Sequence, residues 1–429
     1  MLFFPPAAEV AQAPAPSQSF DLATALARAR AENPLLRAAK ARVEERQGLI
    51  TATRADALPQ LTLTGDFTRL RDVSLLNSNI GSALAGSGYT ADQLVAPTSV
   101  YTAQAAVSQP LFYWGKLGTA VAVARMGERE AGLAYTTVEL DTLHGVAKAY
   151  MAVLSAQAEL EVVQSRLATA QQFVADVKAR LEAQAATELD RLRAESEYLG
   201  VIPENLQAEA NYRRAMELLD GLLGLDPRTA LALGDPGEPP AAIQAPPGER
   251  SEIAQYKQQE AMYRANDQII TTDLRPKVDL NAAYGYQAGA TSNLFKEPYD
   301  TWKVSVTMRF PIFDGLRTSG KRAQNRAQLE QVVQARVDKE RAVAVETRSA
   351  GRELAKAVAY QGAARMAYGA ALEALRTSRE SFEQGLITSL DLLQAEREER
   401  GRSSQKRRAE LAVWTAWFDC RRAVGLPPL

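Results

Sequence analysis

The stretch "TWKVSVTMRF", Thr301–Phe310, decides how this chain is to be folded. Trp302, Val304, Val306, Met308 and Phe310 occupy every second position, with Lys303, Ser305, Thr307 and Arg309 between them. An extended backbone sends successive side chains to opposite sides, so the segment predicts a strand with one apolar and one polar face. About ten residues is also the length of a strand that crosses a bilayer. Just upstream, "VDLNAAYGY" alternates in the same way through Val278, Leu280, Ala282, Tyr284 and Tyr286, and "QAGATSNLF" supplies a turn-rich connection. The two segments predict a hairpin.

The same plan occurs nearer the N-terminus. "LTLTGDF" places Leu61, Leu63 and Phe67 on one face, the returning strand carries Ala103, Ala105 and Val107, and "NSNIGSALAGSGYT" lies in the loop between them. A shift of 201 residues relates Pro110 in "QPLFYWG" to Pro311 in "FPIFDG", Thr187 to Thr388, Asp190 to Asp391, and Gly224 to Gly425. Pro59 and Pro276 stand 217 apart, because the first copy carries the longer loop. An internal two-fold repeat is therefore expected, with residues 20–226 as the first copy and 251–429 as the second. Residues 227–250 between them hold Pro227, Pro236, Pro239, Pro240, Pro246 and Pro247 and read as a surface linker, since proline removes a donor and clashes with a preceding helical turn.

Each copy opens on a helical pattern, Asp21 to Arg54 and Glu252 to Thr272, and each hairpin is followed by a much longer one. Leu117 to Leu181 contains no proline, and Val153, Leu160, Leu167, Val174 and Leu181 recur in steps of seven. Ala156, Val163, Ala170 and Val177 complete a seam of coiled-coil type. At ~1.5 Å per residue such a helix reaches on the order of 100 Å, and Arg317 to Phe382 matches it. Both repeated motifs, "ATELDRLRAE" and "ITSLDLLQAE", fall where the seam ends. Thr187 and Thr388 with Asp190 and Asp391 three positions on have the form of a capping box, so the motifs read as turns at the tips of two helical hairpins. Each returning helix then runs ~35 residues, to "LLG" or "AVG".

Composition removes most other readings. Fifty basic and fifty-one acidic residues leave no field to recruit nucleic acid. The single Cys420 excludes an internal disulfide framework and cysteine zinc sites, and the lone His144 sits on a helical pattern as a structural residue. With no triad, metal cluster or phosphate loop, the chain reads as a non-enzyme without cofactor or metal. The leading "MLFFPPAAEVAQAPAPSQSF" lacks a basic n-region; residues 1–19 are expected to be disordered, with "AQA" at Ala11–Ala13 compatible with a signal remnant or with a proline-alanine tail. No run approaches the ~20 apolar residues of a spanning helix, so a membrane crossing would have to be a barrel. Four strands cannot close one, and an open edge in lipid leaves backbone groups unpaired. Further copies must complete it, and three would supply twelve strands.

The ordered set "NPLL" (Asn33–Leu36), "LPQLTLTG", "QPLF", "FPIFDG" and "GLITSLDLLQAE" resembles the TolC-like outer-membrane efflux channels of Gram-negative bacteria. The resemblance implies a mainly α chain with a pair of β-hairpins: a homotrimer sharing a twelve-stranded barrel in the outer membrane, four strands per chain, and a coiled-coil α-barrel through the periplasm. It implies a passive exit duct of a tripartite efflux or type I secretion system, joined by a periplasmic adaptor protein to an inner-membrane pump of RND or ABC type. A soluble, elongated coiled-coil scaffold is the alternative.

The resemblance also assigns roles. Asp391 matches a gate position at the periplasmic mouth, beside its cap role; Gln394 stands where some relatives carry a second acid, which weakens the ring of charge. Asp190 is the equivalent in the first tip, and the basic partner of its closed-state salt bridge corresponds here to Ile387. Gly385, Leu386, Thr388 and Thr187 fit adaptor-docking tips. Lys277, Lys303 and Arg309 fall on polar strand faces and are expected to line the pore or to sit solvated at barrel ends. Trp302, Phe112, Tyr113 and Trp114 stand where interfacial aromatics meet outer-membrane lipid, with core packing as the other reading of the last three. The run "EREER", Glu396–Arg400, reads as a solvated helix face.

Overall fold

The alternating segments form strands, and their register places the apolar residues on one face. A computed structural model describes residues 19–71, 79–88, 90, 98–225, 231–239, 249–384, 386–387 and 389–429. In chain order these form β1 (Ser19–Phe20), α1 (Leu22–Glu32), α2 (Pro34–Ala55), β2 (Gln60–Leu70), α3 (Asn79–Gly86), β3 (Thr98–Phe112), α4 (Lys116–Glu182) and α5 (Glu188–Leu223). Then come β4 (Ala232–Leu233), α6 (Ser251–Thr271), β5 (Lys277–Ala288), β6 (Asp300–Arg309), α7 (Arg317–Glu383) and α8 (Ser389–Ala423). The chain divides into two compact units: Glu44–Glu130 with Lys257–Gln334, which holds the sheet, and the described parts of Met1–Val43, Ala131–Tyr256 and Ala335–Leu429, which are helical.

In the sheet unit four antiparallel strands run in the order β2, β3, β5, β6. Leu63 lies opposite Ala105, Ala105 opposite Tyr284 and Tyr284 opposite Trp302, so one row of apolar side chains crosses all four strands. Gly285 sits where β3 and β5 come closest; a Cβ there would lie 2.2 Å from the Ala103 carbonyl oxygen, a space only glycine leaves. The first hairpin connection is not wholly irregular, since Asn79–Gly86 is helical.

The helical unit packs its core from α1, α4, α5 and α8. Leu22, Ala25, Leu26 and Ala29 form the buried stripe of α1, against Leu143, Val146, Tyr150 and Met151 of α4, Leu219 and Leu223 of α5, and Trp414, Trp417 and Phe418 of α8. Farther along, Val163, Ala170 and Val177 of α4 and Ala194, Val201 and Ala208 of α5 are buried, both series in steps of seven. The expected seam is thus a helical-hairpin interface, with its burial concentrated on one of the two predicted rows. Both long helices have 67 residues, and the returning helices have 36 and 35.

Three expectations need correction. The pattern from Asp21 to Arg54 is two helices: Asp21 caps α1, and Asn33 with Pro34 breaks the run, because the residue before proline is driven out of the helical region. Asn33 is buried and knits the joint together, accepting from Leu35 N–H at 2.9 Å and donating to the Leu222 carbonyl at 2.8 Å. Ser19 is not part of a structureless lead, since β1 pairs in parallel with β4; residues 1–18 lie outside those described. Finally, the described part of the proline-rich linker is docked on the helical unit. Asp235 pairs with Arg407 at 3.1 Å, and the Gly237 carbonyl accepts from the Trp414 indole at 3.1 Å. Proline removes donors but leaves carbonyls and neighbouring side chains free to bond.

The backbone repeats its turns at one spacing. Trp114 and Gly115 take left-handed conformations before α4, and Gly315 and Leu316 do so before α7. Left-handed Gly224 and Gly425 end α5 and α8, followed by closing bonds from Leu225 N–H to Asp220 O and from Leu426 N–H to Arg421 O, both 2.9 Å. Each of these pairs is 201 residues apart.

Candidate channel wall and helix tips

Alternation along four strands divides the sheet into two surfaces of opposite character. Leu61, Leu63 and Phe67 of β2 and Trp302, Val304, Val306 and Met308 of β6 are all exposed, Leu63 at 83% and Trp302 at 73%. Both edge strands therefore present apolar side chains and unpaired backbone groups to the outside of the single chain. The opposite surface carries Thr62, Thr64 and Asp66 of β2, Gln104 and Ser108 of β3, Asn281 and Gln287 of β5, and Ser305 and Thr307 of β6.

Lys277, Lys303 and Arg309 belong to this polar surface. Lys277 lies directly across from Arg309, and Lys303 is farther along β6 opposite Ala283. The like-charged pair has carboxylates nearby: Asp273 is 3.7 Å from the Lys277 ammonium, and Asp279 accepts a 2.7 Å hydrogen bond from the Tyr113 hydroxyl. Tyr113 is thereby drawn to the polar side. Phe112 is in register with Val278 on the apolar side and meets Trp114 edge to face at 5.0 Å, while Trp302 lies on the same face opposite Tyr284.

At the first tip the sequence signal becomes a complete capping box. Asp190 N–H donates to the Thr187 hydroxyl at 3.2 Å, and Thr187 N–H to the Asp190 carboxylate at 3.0 Å. The Thr187 hydroxyl and backbone together hold the Asp190 carboxyl below its ordinary range. Gln184 takes the left-handed position that glycine usually fills, and Ala185 N–H closes on Arg180 O at 2.7 Å. The matching bond at the second tip, Leu386 N–H to Ser381 O, is 2.9 Å. Leu386 is 71% exposed; Gly385 and Thr388 lie outside the described residues.

Asp391 is exposed in the first turn of α8. It shares a groove with Gln394 and Glu398 of its own helix and Ala367, Ala370, Ala371 and Ala374 of α7. Spacings of three and seven put Asp391, Gln394 and Glu398 on one helical face. The "EREER" run is more engaged than a solvated face: Arg397 pairs with Glu197 of α5 at 3.3 Å and Glu396 with Arg379 of α7 at 3.2 Å. Arg400 reaches Thr169 Oγ1 of α4 at 3.3 Å. Local charge patterning carries no trace of these partners, because they come from helices distant in sequence.

A buried ionic cluster was equally invisible. Arg250 bonds Glu252 at 2.7 Å, Glu346 at 2.9 Å and the Ala423 carbonyl at 3.2 Å, and Arg422 bonds the same Glu252 at 2.8 Å. Burial by itself would raise the Glu252 carboxyl, but the two guanidinium groups hold it far below the usual carboxylate range. His144 is buried beside this cluster with Nε2 2.8 Å from the Leu426 carbonyl, as suits a structural residue. Burial, with Arg422 and Arg421 adding to it, pushes the imidazole below its ordinary value. Tyr150 tethers β1 and β4, its hydroxyl lying 2.8 Å from Phe20 O and 2.7 Å from Gly234 O, and burial pushes it up to about 12.

Comparison with known proteins agrees with this architecture. The family described as Outer membrane efflux protein matches residues 25–225 and again 244–426. Outer membrane protein TolC of Vibrio cholerae serotype O1 is 22% identical over 419 residues, covering 94% of this chain and 90% of the relative. The pyoverdine export outer membrane protein OpmQ of Pseudomonas putida is 27% identical over 312 residues, covering 70% of this chain and 63% of the relative. Among solved structures, the outer membrane protein VceC of Vibrio cholerae superposes with a TM-score of 0.76 at 20% identity, over 95% of this chain and 97% of that one. The chain belongs to the outer membrane efflux protein family.

Proposed function

We propose that the chain is the outer-membrane exit duct of a tripartite efflux or secretion system, a passive conduit for substrate driven from the inner membrane. The observation that carries this reading is the sheet itself: one face apolar across four strands and exposed along both edge strands, the other polar, and both edges open. Such a sheet is stable in hydrocarbon only when its edges are paired, so identical neighbours complete it. Three copies give a twelve-stranded barrel with Lys277, Lys303 and Arg309 facing water. The repeated turns support a duplicated plan, residues 20–226 and 251–429 joined by 227–250.

The paired long helices serve as the periplasmic wall. Asp391, with Gln394 on the same face, narrows its mouth, where three carboxylates round one axis repel each other and favour cations. The tips at Thr187 and at Gly385, Leu386 and Thr388 dock a periplasmic adaptor, which links the duct to an inner-membrane pump. Relatives named for pyoverdine export and for alkaline protease secretion accord with a duct whose cargo is set by its partners. The test is fractionation with native mass measurement. A detergent-extracted, heat-resistant trimer is expected; a monomer in aqueous buffer would overturn the proposal.

A further inference from the structure

Where β3 ends, three side chains form a cluster that the conduit itself does not use. Phe112 extends the apolar face and packs against the edge of Trp114. The Trp114 indole donates to the Pro276 carbonyl at 2.7 Å, which fixes the ring although its backbone is left-handed at φ 53°. Over that ring stands the Arg275 guanidinium, 5.2 Å from the centroid. Arg275 is exposed, and among the described residues no carboxylate pairs with it. Phe112 is itself 51% exposed, and the nearby Asp273, two residues before Arg275, pairs instead with Lys116 and Lys277.

We propose that Arg275, held by Trp114 beside Phe112, binds the phosphodiester headgroup of an anionic phospholipid at the margin of the barrel. The inference rests on the reading that the apolar face lies in lipid. In that setting Phe112 ends the hydrocarbon-facing row and the amphipathic indole takes the headgroup level. A guanidinium stacked on an aromatic is weakly hydrated, keeps its fork of donors free and matches phosphate geometry. A cation with no carboxylate partner among the described residues, fixed where the exposed Phe112 ends the apolar row, fits a lipid phosphate better than an apolar protein partner.

The test uses the full chain in phosphatidylethanolamine vesicles containing either phosphatidylglycerol or phosphatidylcholine, each brominated on its acyl chains to quench tryptophan. Trp414 and Trp417 are 5% and 3% exposed and provide a constant background. Subtracting the signals of Trp114→Phe and Trp302→Phe isolates the two sheet-unit tryptophans. Trp114 should be quenched by phosphatidylglycerol at about fivefold lower lipid fraction than by phosphatidylcholine, the gain expected of one basic residue near a phosphate surface. Arg275→Gln should remove that preference and leave Trp302 unchanged. Equal quenching of Trp114 by both lipids, or a preference that survives Arg275→Gln, overturns the headgroup site while the duct stands. If neither lipid quenches Trp302, the lipid-facing sheet fails and the headgroup site with it.

Discussion

Replacing Gly285 with alanine should drive β3 and β5 apart. The added Cβ would lie 2.2 Å from the Ala103 carbonyl oxygen and 2.5 Å from Gln104 Cα, against an ordinary contact of ~3.5 Å. Both obstacles are backbone, so no side chain can swing aside, and the strands must part by about 1 Å. A ladder bond of ~2.9 Å stretched by that amount is no longer a hydrogen bond. Two such bonds at ~1 kcal/mol each, with ~1–3 kcal/mol for overpacking, give a loss of about 3–5 kcal/mol at the seam joining the two hairpins. Gly65→Ala is the control, since it lies in β2 of the same sheet with nothing within 4 Å of its Cβ. The assay is the fraction of detergent extract running as a heat-resistant oligomer. It should collapse for Gly285→Ala and hold for Gly65→Ala; equal resistance would refute the steric reasoning.

Three further outcomes are expected. Asp391→Ala should raise single-channel conductance in planar bilayers and lessen cation preference, whereas unchanged traces would remove Asp391 from the gate. Asn33→Ala leaves the Leu222 carbonyl and Leu35 N–H without their bonds in a buried joint, a cost of about 2–4 kcal/mol readable by urea unfolding followed through helical circular dichroism. Because the folded Glu252 carboxyl is held down, its contribution is complete above the unfolded glutamate value of about 4.3 and is lost as pH falls toward the folded one. Glu252→Gln should therefore be less stable than the parent at neutral pH, with the gap narrowing in acid; a gap independent of pH would place its origin in packing.

The parts legible in the sequence are those with a local period. Trp302 to Phe310 showed a strand, the seven-step row through Val163 showed a helical hairpin, and Thr187 with Asp190 showed the cap that reverses it. What escaped was built from contacts distant along the chain. The two-residue pairing of Ser19 with Ala232 has no pattern of its own. Arg250, Glu252 and Arg422 look like solvated charges until the fold buries them together, and so does Arg397 until α5 supplies Glu197. The break at Asn33 was written in Pro34, yet the helical pattern on either side masked it.

Cysteine scanning along β6 in a Cys420→Ala background, read as block of single-channel current by a charged, membrane-impermeant thiol reagent, probes the sheet most directly. Positions 301, 303, 305 and 307 should react and change the current, while 302, 304, 306 and 308 should be silent. Reaction on the Trp302 face, or no alternation at all, would mean that these strands do not separate lipid from a water-filled interior.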